Sequence, residues 1–160
     1  MSEVQAPAQP ARDGPVGIGG WLILPIIGLV LTPIKGVGFL GQYLGMSFAH
    51  LSGAQIALVY AELIGNFVLL IVLPIMMLVL LFKKRRTFPG LFVKWAFAGL
   101  AFTLLDLIFG YAFFKDAYEA SDTEFMDAAT WREVARSIFA VVVWVPYMLN
   151  SRRVGNTFVE

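Results

Sequence analysis

The chain has 160 residues, of which 59% are hydrophobic and only 14% charged, with a formal net charge of +1. A soluble domain is roughly half apolar and about a quarter charged, so the composition excludes an ordinary soluble domain, and so small a net charge gives no electrostatic footprint for nucleic acid. There is no cysteine, which excludes disulfides, thiol catalysis and thiolate metal sites.

The apolar excess is gathered into blocks of about twenty residues, the length that crosses a bilayer. Residues 1–16 form a tail with Pro7, Pro10 and Pro15. It holds too little apolar surface to offset its ordering entropy and is expected to be disordered. It does not read as a signal peptide, because the apolar run after it is long and lacks a small-residue cleavage site.

A first span is predicted over 20–43. Pro25 and Pro33 each remove a helical hydrogen bond, so kinks are expected, with a break at Thr32-Pro33-Ile34-Lys35-Gly36. Gly41 and Gly45 are spaced to permit close helix contact. A short uncharged connection follows, carrying His50, the one histidine. The second span covers 55–82, longer than crossing requires, so a tilt or a kink at Pro74 is expected. Glu62 and Asn66 stand four apart on one face of it.

Lys83-Lys84-Arg85-Arg86 ends that span. The third span is predicted over 91–114, with Lys94 and Trp95 as snorkelling and interfacial anchors and Asp106 deep inside. The connection that follows holds Asp116, Glu119, Asp122, Glu124 and Asp127. It reads as a solvated acidic loop, and its spacing is not that of an EF-hand. A surface helix can start between Thr123 and Arg136. The fourth span, 133–150, includes Arg136 and Pro146, and residues 154–160 read as a tail.

A run of four positive charges resists translocation and stays cytoplasmic. Placing it there puts Arg12, Arg152 and Arg153 on the same side and the acidic loop outside. Both termini are then cytoplasmic. The fold class is an all-α integral membrane four-helix bundle over residues 17–153, since backbone polar groups in lipid must be satisfied within the chain.

Four ionisable residues fall within the spans, one per helix: Lys35, Glu62, Asp106 and Arg136. At a rise of ~1.5 Å per residue, all four lie roughly 5–10 Å below the outer face of a ~30 Å core. Charges at that depth are costly and should face the bundle interior and pair. Read structurally, they are a self-neutralising ion-pair layer that sets helix register. Read functionally, they surround an outward-open polar cavity that Asn66, Thr103 and His50 help to line.

Three segments carry a resemblance. They are Gly19-Gly20-Trp21-Leu22 with Pro25, Phe82-Lys83-Lys84-Arg85-Arg86, and Val145-Pro146-Tyr147 followed by Ser151-Arg152-Arg153-Val154 and Thr157-Phe158-Val159. Together they resemble the bacterial membrane family known as domain of unknown function twenty-five sixty-nine, over nearly the whole chain. The resemblance implies a small four-helix protein of the bacterial inner membrane and supplies no activity or site.

The leading functional expectation is non-enzymatic binding or transport-related handling of a small solute or ion at the charged layer. The alternative is an accessory or assembly subunit packed against a second copy or another membrane protein. No enzymatic motif is present, and no cofactor or metal site is expected. Membrane lipids are expected partners, with Lys83 to Arg86, Arg152 and Arg153 able to meet lipid phosphates or a cytoplasmic protein.

Overall fold

The computed structural model describes residues 14–121 and 124–159. Most of the proline-rich tail with Arg12, and Asp122, Thr123 and Glu160, lie outside the described residues. All regular structure among the described residues is helical. Three helices are long and apolar enough to cross a membrane: Gly20–Gly41, Gly53–Phe82 and Thr87–Ala120. Their outer surfaces are apolar too, with Ile34 65% and Ile64 64% exposed. Such a surface is incompatible with a water-soluble monomer and suits lipid.

The first of these opens with a 3₁₀ turn, Gly20–Leu22, and continues as α1, Ile23–Gly41. The second begins at α2, Gly53–Asn66, where Ser52 and Gln55 form a reciprocal capping box. It passes through a π-helical stretch, Phe67–Val72, into α3, Leu73–Phe82. The third is α4, Thr87–Ala120. The remaining helix, read as a fourth span over 133–150, starts earlier, at α5, Ala128–Phe139. It runs through a second π stretch, Ala140–Trp144, into α6, Val145–Asn150. It is as long as the first of the three but does not reach the apolar character that marks them.

None of the four prolines breaks a helix. Pro25 sits in the first turn of α1, just after the 3₁₀ turn that opens the helix. Pro33 lies inside α1, which continues past it. Thr32 Oγ1 donates to the Gly28 carbonyl beside it, at 2.7 Å. Pro74 and Pro146 each stand second in the α-helix that follows a π stretch. At both places the π turn changes the hydrogen-bond register just before the proline.

At Pro74 the consequence is specific. Leu73 N–H reaches back five residues to the Val68 carbonyl. In that register Pro74 would have served Leu69, and it has no N–H. Trp95 Nε1 from α4 donates to the Leu69 carbonyl instead, at 2.8 Å. Trp95 is therefore a helix-to-helix tie. The next two residues, Leu70 and Ile71, press on buried Gly36 of α1, where an added methyl would come within 2.9 Å of both. Gly65 takes the Phe102 ring in the same way. Gly41 and Gly45, the expected contact pair, face open space, and Gly45 turns the chain at φ +86.

The hydrophobic core gathers at one end of the bundle, around Leu22, Leu29, Met77, Leu81, Phe88, Phe92 and Met148. The segment expected as a C-terminal tail closes it. Helix α7, Arg152–Thr157, folds back, and Val154, Thr157 and Phe158 are buried. Phe158 stacks on Phe88 with centroids 4.6 Å apart. Thr157 Oγ1 accepts from Gly17 N–H at 2.9 Å and donates to the Arg153 carbonyl at 2.7 Å. The Arg153 guanidinium lies over Gly19 and Gly20, where a side chain on Gly19 would meet it at 2.9 Å. Arg153 is thus occupied within the fold, while Arg152 and Lys83 to Arg86 remain exposed.

The hairpin between α3 and α4 is stopped by a Schellman motif. Arg85 N–H reaches the Leu80 carbonyl and Lys84 N–H the Leu81 carbonyl, both at 3.0 Å. Lys84 holds the left-handed position at φ +50, where glycine is favoured.

Two outcomes follow for thermal unfolding of the purified protein in detergent. Lys84→Gly raises stability by about 1 kcal/mol through relief of the left-handed strain. Trp95→Phe lowers it by about 1–3 kcal/mol, because the Leu69 carbonyl loses its donor away from water. A Trp95→Phe variant as stable as wild type would show that the tie carries nothing.

Candidate functional site

Away from the closed end the helices part around a cavity of about 770 Å³. Each of the four long helical segments contributes to its wall. Phe39 comes from α1, Glu62 and Asn66 from α2, Thr103 and Asp106 from α4, and Glu133 from α5. His50 lines it from the connection before α2, and Phe125 and Thr130 from the region that opens α5.

The structure divides the four charges expected at membrane depth. Glu62 and Asp106 are half-buried and face the cavity. Lys35 and Arg136 are exposed and do not line it. Among the described residues the one ion pair is Lys115–Glu119, at 3.6 Å on the surface, so the expected charge-balanced layer is not formed.

The reason is azimuth rather than depth. Gly36 is the residue of α1 that packs against Leu70 and Ile71, so its neighbour Lys35 is turned about 100° away from that contact. Ser137 is the residue of α5 that meets α4, its Oγ 3.2 Å from Thr103 Oγ1. Arg136, again about 100° round, points out. Glu133 stands one turn before Ser137, whose hydroxyl also donates to the Glu133 carbonyl at 3.0 Å, and it takes the place in the wall that Arg136 was expected to hold.

The cavity is thereby acidic. Glu62 and Asp106 act electrostatically on one another, and each feels Glu133. Glu62 Oε1 accepts a hydrogen bond from the Tyr43 hydroxyl at 3.1 Å. Tyr43 itself stacks beside Phe39, centroids 5.3 Å apart. Phe125 meets both Tyr111 and Tyr118 of α4 at 5.2 Å. Among the described residues no three His, Asp or Glu side chains come close enough together to hold a metal ion.

Tyr43 and Glu133 escaped the sequence reading. The only signal for Tyr43 was its place at the end of the first span. Glu133 fell at the span boundary, where a carboxylate reads as solvated.

Asp127 of the acidic loop has a defined task. As the N-cap of α5 it accepts from Thr130 N–H at 2.8 Å and Thr130 Oγ1–H at 2.7 Å. Those bonds hold its carboxyl below the usual carboxylate range. A carboxyl lowered by folding stabilises the fold above its unfolded value and loses that contribution as pH falls through its folded value. Asp127→Ala should therefore lower the melting temperature at neutral pH, and the difference from wild type should shrink on acidification below the carboxylate range. A difference that stays constant with pH would show that the charge plays no part in the cap.

No curated protein and no solved structure matches the chain. One family model does, that of the protein of unknown function DUF2569, over residues 15–159. The match runs from the glycine-rich entry of the first helix to the end of the C-terminal fold-back, the two parts that meet at the closed end. The chain belongs to the DUF2569 family.

Proposed function

We propose that the chain is a four-span protein of the bacterial inner membrane, both termini cytoplasmic, that binds a small solute or ion in the cavity. The observation that carries this reading is the inward placement of Glu62 and Asp106 on adjacent helices. Intramembrane carboxylates without a paired cation are costly and mark sites of binding or passage, and the cavity is within the size range of small-molecule sites. The helix 128–150 serves as the fourth span. The exposed cluster Lys83 to Arg86 with Arg152 supports a cytoplasmic closed end and contact with anionic lipid phosphates. The cavity then opens outward.

A second reading is favoured by Lys35 and Arg136. Their outward placement suits an accessory subunit that meets a second copy or another membrane protein through those charges.

Because the chain has no cysteine, single-cysteine variants report without background. In intact cells a membrane-impermeant thiol reagent should label Glu124→Cys and Thr103→Cys, and should label Lys84→Cys and Gly155→Cys only after the membrane is opened. Thr103→Cys unreactive beside a reactive Glu124→Cys would rule out a water-filled cavity. Labelling of Lys84→Cys in intact cells would reverse the orientation.

A further inference from the structure

We propose that the occupant of this cavity is an organic cation with an apolar body. This rests on the reading of the cavity as a solute site and adds the class of solute.

The first argument is charge sign. The cavity wall holds Glu62, Asp106 and Glu133 and, among the described residues, no lysine or arginine. The two bases at the same depth are turned outward. Negative charge gathered in one cavity between apolar helices is poorly screened. A cation entering the cavity offsets it, whereas an anion adds to it. The Tyr43 hydroxyl, the hydrogen-bond partner of Glu62, holds one carboxylate in place without neutralising it.

The second argument is the shape and chemistry of the rest of the wall. A bare divalent metal needs several oxygen ligands converging at about 2–2.6 Å. Here the acids are spread over three helices, and among the described residues no three could hold a metal. A cavity of about 770 Å³ would leave such an ion surrounded mostly by water. The wall is instead rich in rings, among them Phe39, Tyr43, Phe102, Phe114, Tyr118 and Phe125. Aromatic side chains accept a positive charge on their faces and an apolar body at the same time. Carboxylates among aromatics in a cavity of this size match a monovalent ammonium, phosphonium or similar ion that carries hydrocarbon.

The third argument is access. The closed end is filled by the core that Phe158 and Val154 complete. Ser47 and His50 line the cavity from the connection before α2, and among the described residues no lysine or arginine stands in the wall to repel a cation.

The test uses the full chain in lipid nanodiscs, with Thr103→Cys as the reporter inside the cavity and Gln42→Cys as the reporter outside it at the same end. Each is treated with a cationic methanethiosulfonate (ethyltrimethylammonium) and an anionic one (ethylsulfonate). The cation-to-anion rate ratio at residue 103 is divided by that at residue 42, which cancels lipid surface charge. The expected quotient is about tenfold or more, falling toward one when Glu62→Gln and Asp106→Asn are added. Tetraphenylphosphonium should slow the reaction at residue 103 and its anionic counterpart tetraphenylborate should not. A quotient near one overturns the cation class and leaves the solute site standing. Slowing by Mg²⁺ but not by the phosphonium overturns it in favour of a metal. If residue 103 is inert to both reagents while residue 42 reacts, the solute-site reading itself falls. Should Thr103→Cys fail to fold, Leu107→Cys, on the same wall, gives the same readout.

Discussion

The Leu69 carbonyl, left without a backbone donor by Pro74 and taken by Trp95 Nε1, is the point on which the arrangement turns. In an apolar environment a backbone carbonyl must find a partner within the protein. The proline removes the ordinary one and the π turn moves the orphan to Leu69. The indole answers it from the neighbouring helix and so ties the second long helix to the third. Leu70 and Ile71 of the same turn receive Gly36, which seats the first helix. Three helices are thus joined at one level. On one side of it lies the core closed by Phe88 and Phe158; on the other the helices separate and the cavity begins.

This junction also decides which side chains see the cavity. Seating Gly36 against the second helix turns Lys35 outward, and seating Ser137 against Thr103 does the same to Arg136. The acids, Glu62 on the second helix and Asp106 on the third, are left facing inward, and Glu133 lines the cavity from an exposed position. A bundle whose composition is nearly charge-balanced therefore holds an unbalanced interior. The negative character of the cavity follows from packing by two small residues and requires no excess of acid in the chain.

Much of the fold was legible in the sequence. The family, the all-helical class and the three strongest spans follow from apolar run length, from the basic turn after Phe82 and from the terminal signatures. Counting residues gives each charge an expected depth. Direction around the helix does not. Periodicity along α1, with apolar residues on every side, gives no azimuth for Lys35, and only the contact at Gly36 supplies one. Trp95 read as an interfacial anchor because its partner exists only once the π register has formed, and that register is a tertiary compromise around Pro74. The Thr157–Gly17 contact joins residues at opposite ends of the chain, so each motif was visible and their meeting was not. Glu133 was obscured by the uncertain start of the last helix, which the Asp127 cap sets at Ala128.

The most direct measurement is nitroxide accessibility in lipid, with spin labels placed singly at residues 35, 62, 106 and 136 of this cysteine-free chain. Power saturation by oxygen reports lipid exposure, and saturation by a water-soluble nickel chelate reports exposure to water. Labels at 62 and 106 should be relaxed by the nickel chelate, and labels at 35 and 136 by oxygen. Four labels with the same aqueous profile would place all four charges in one interior layer and contradict the acidic cavity.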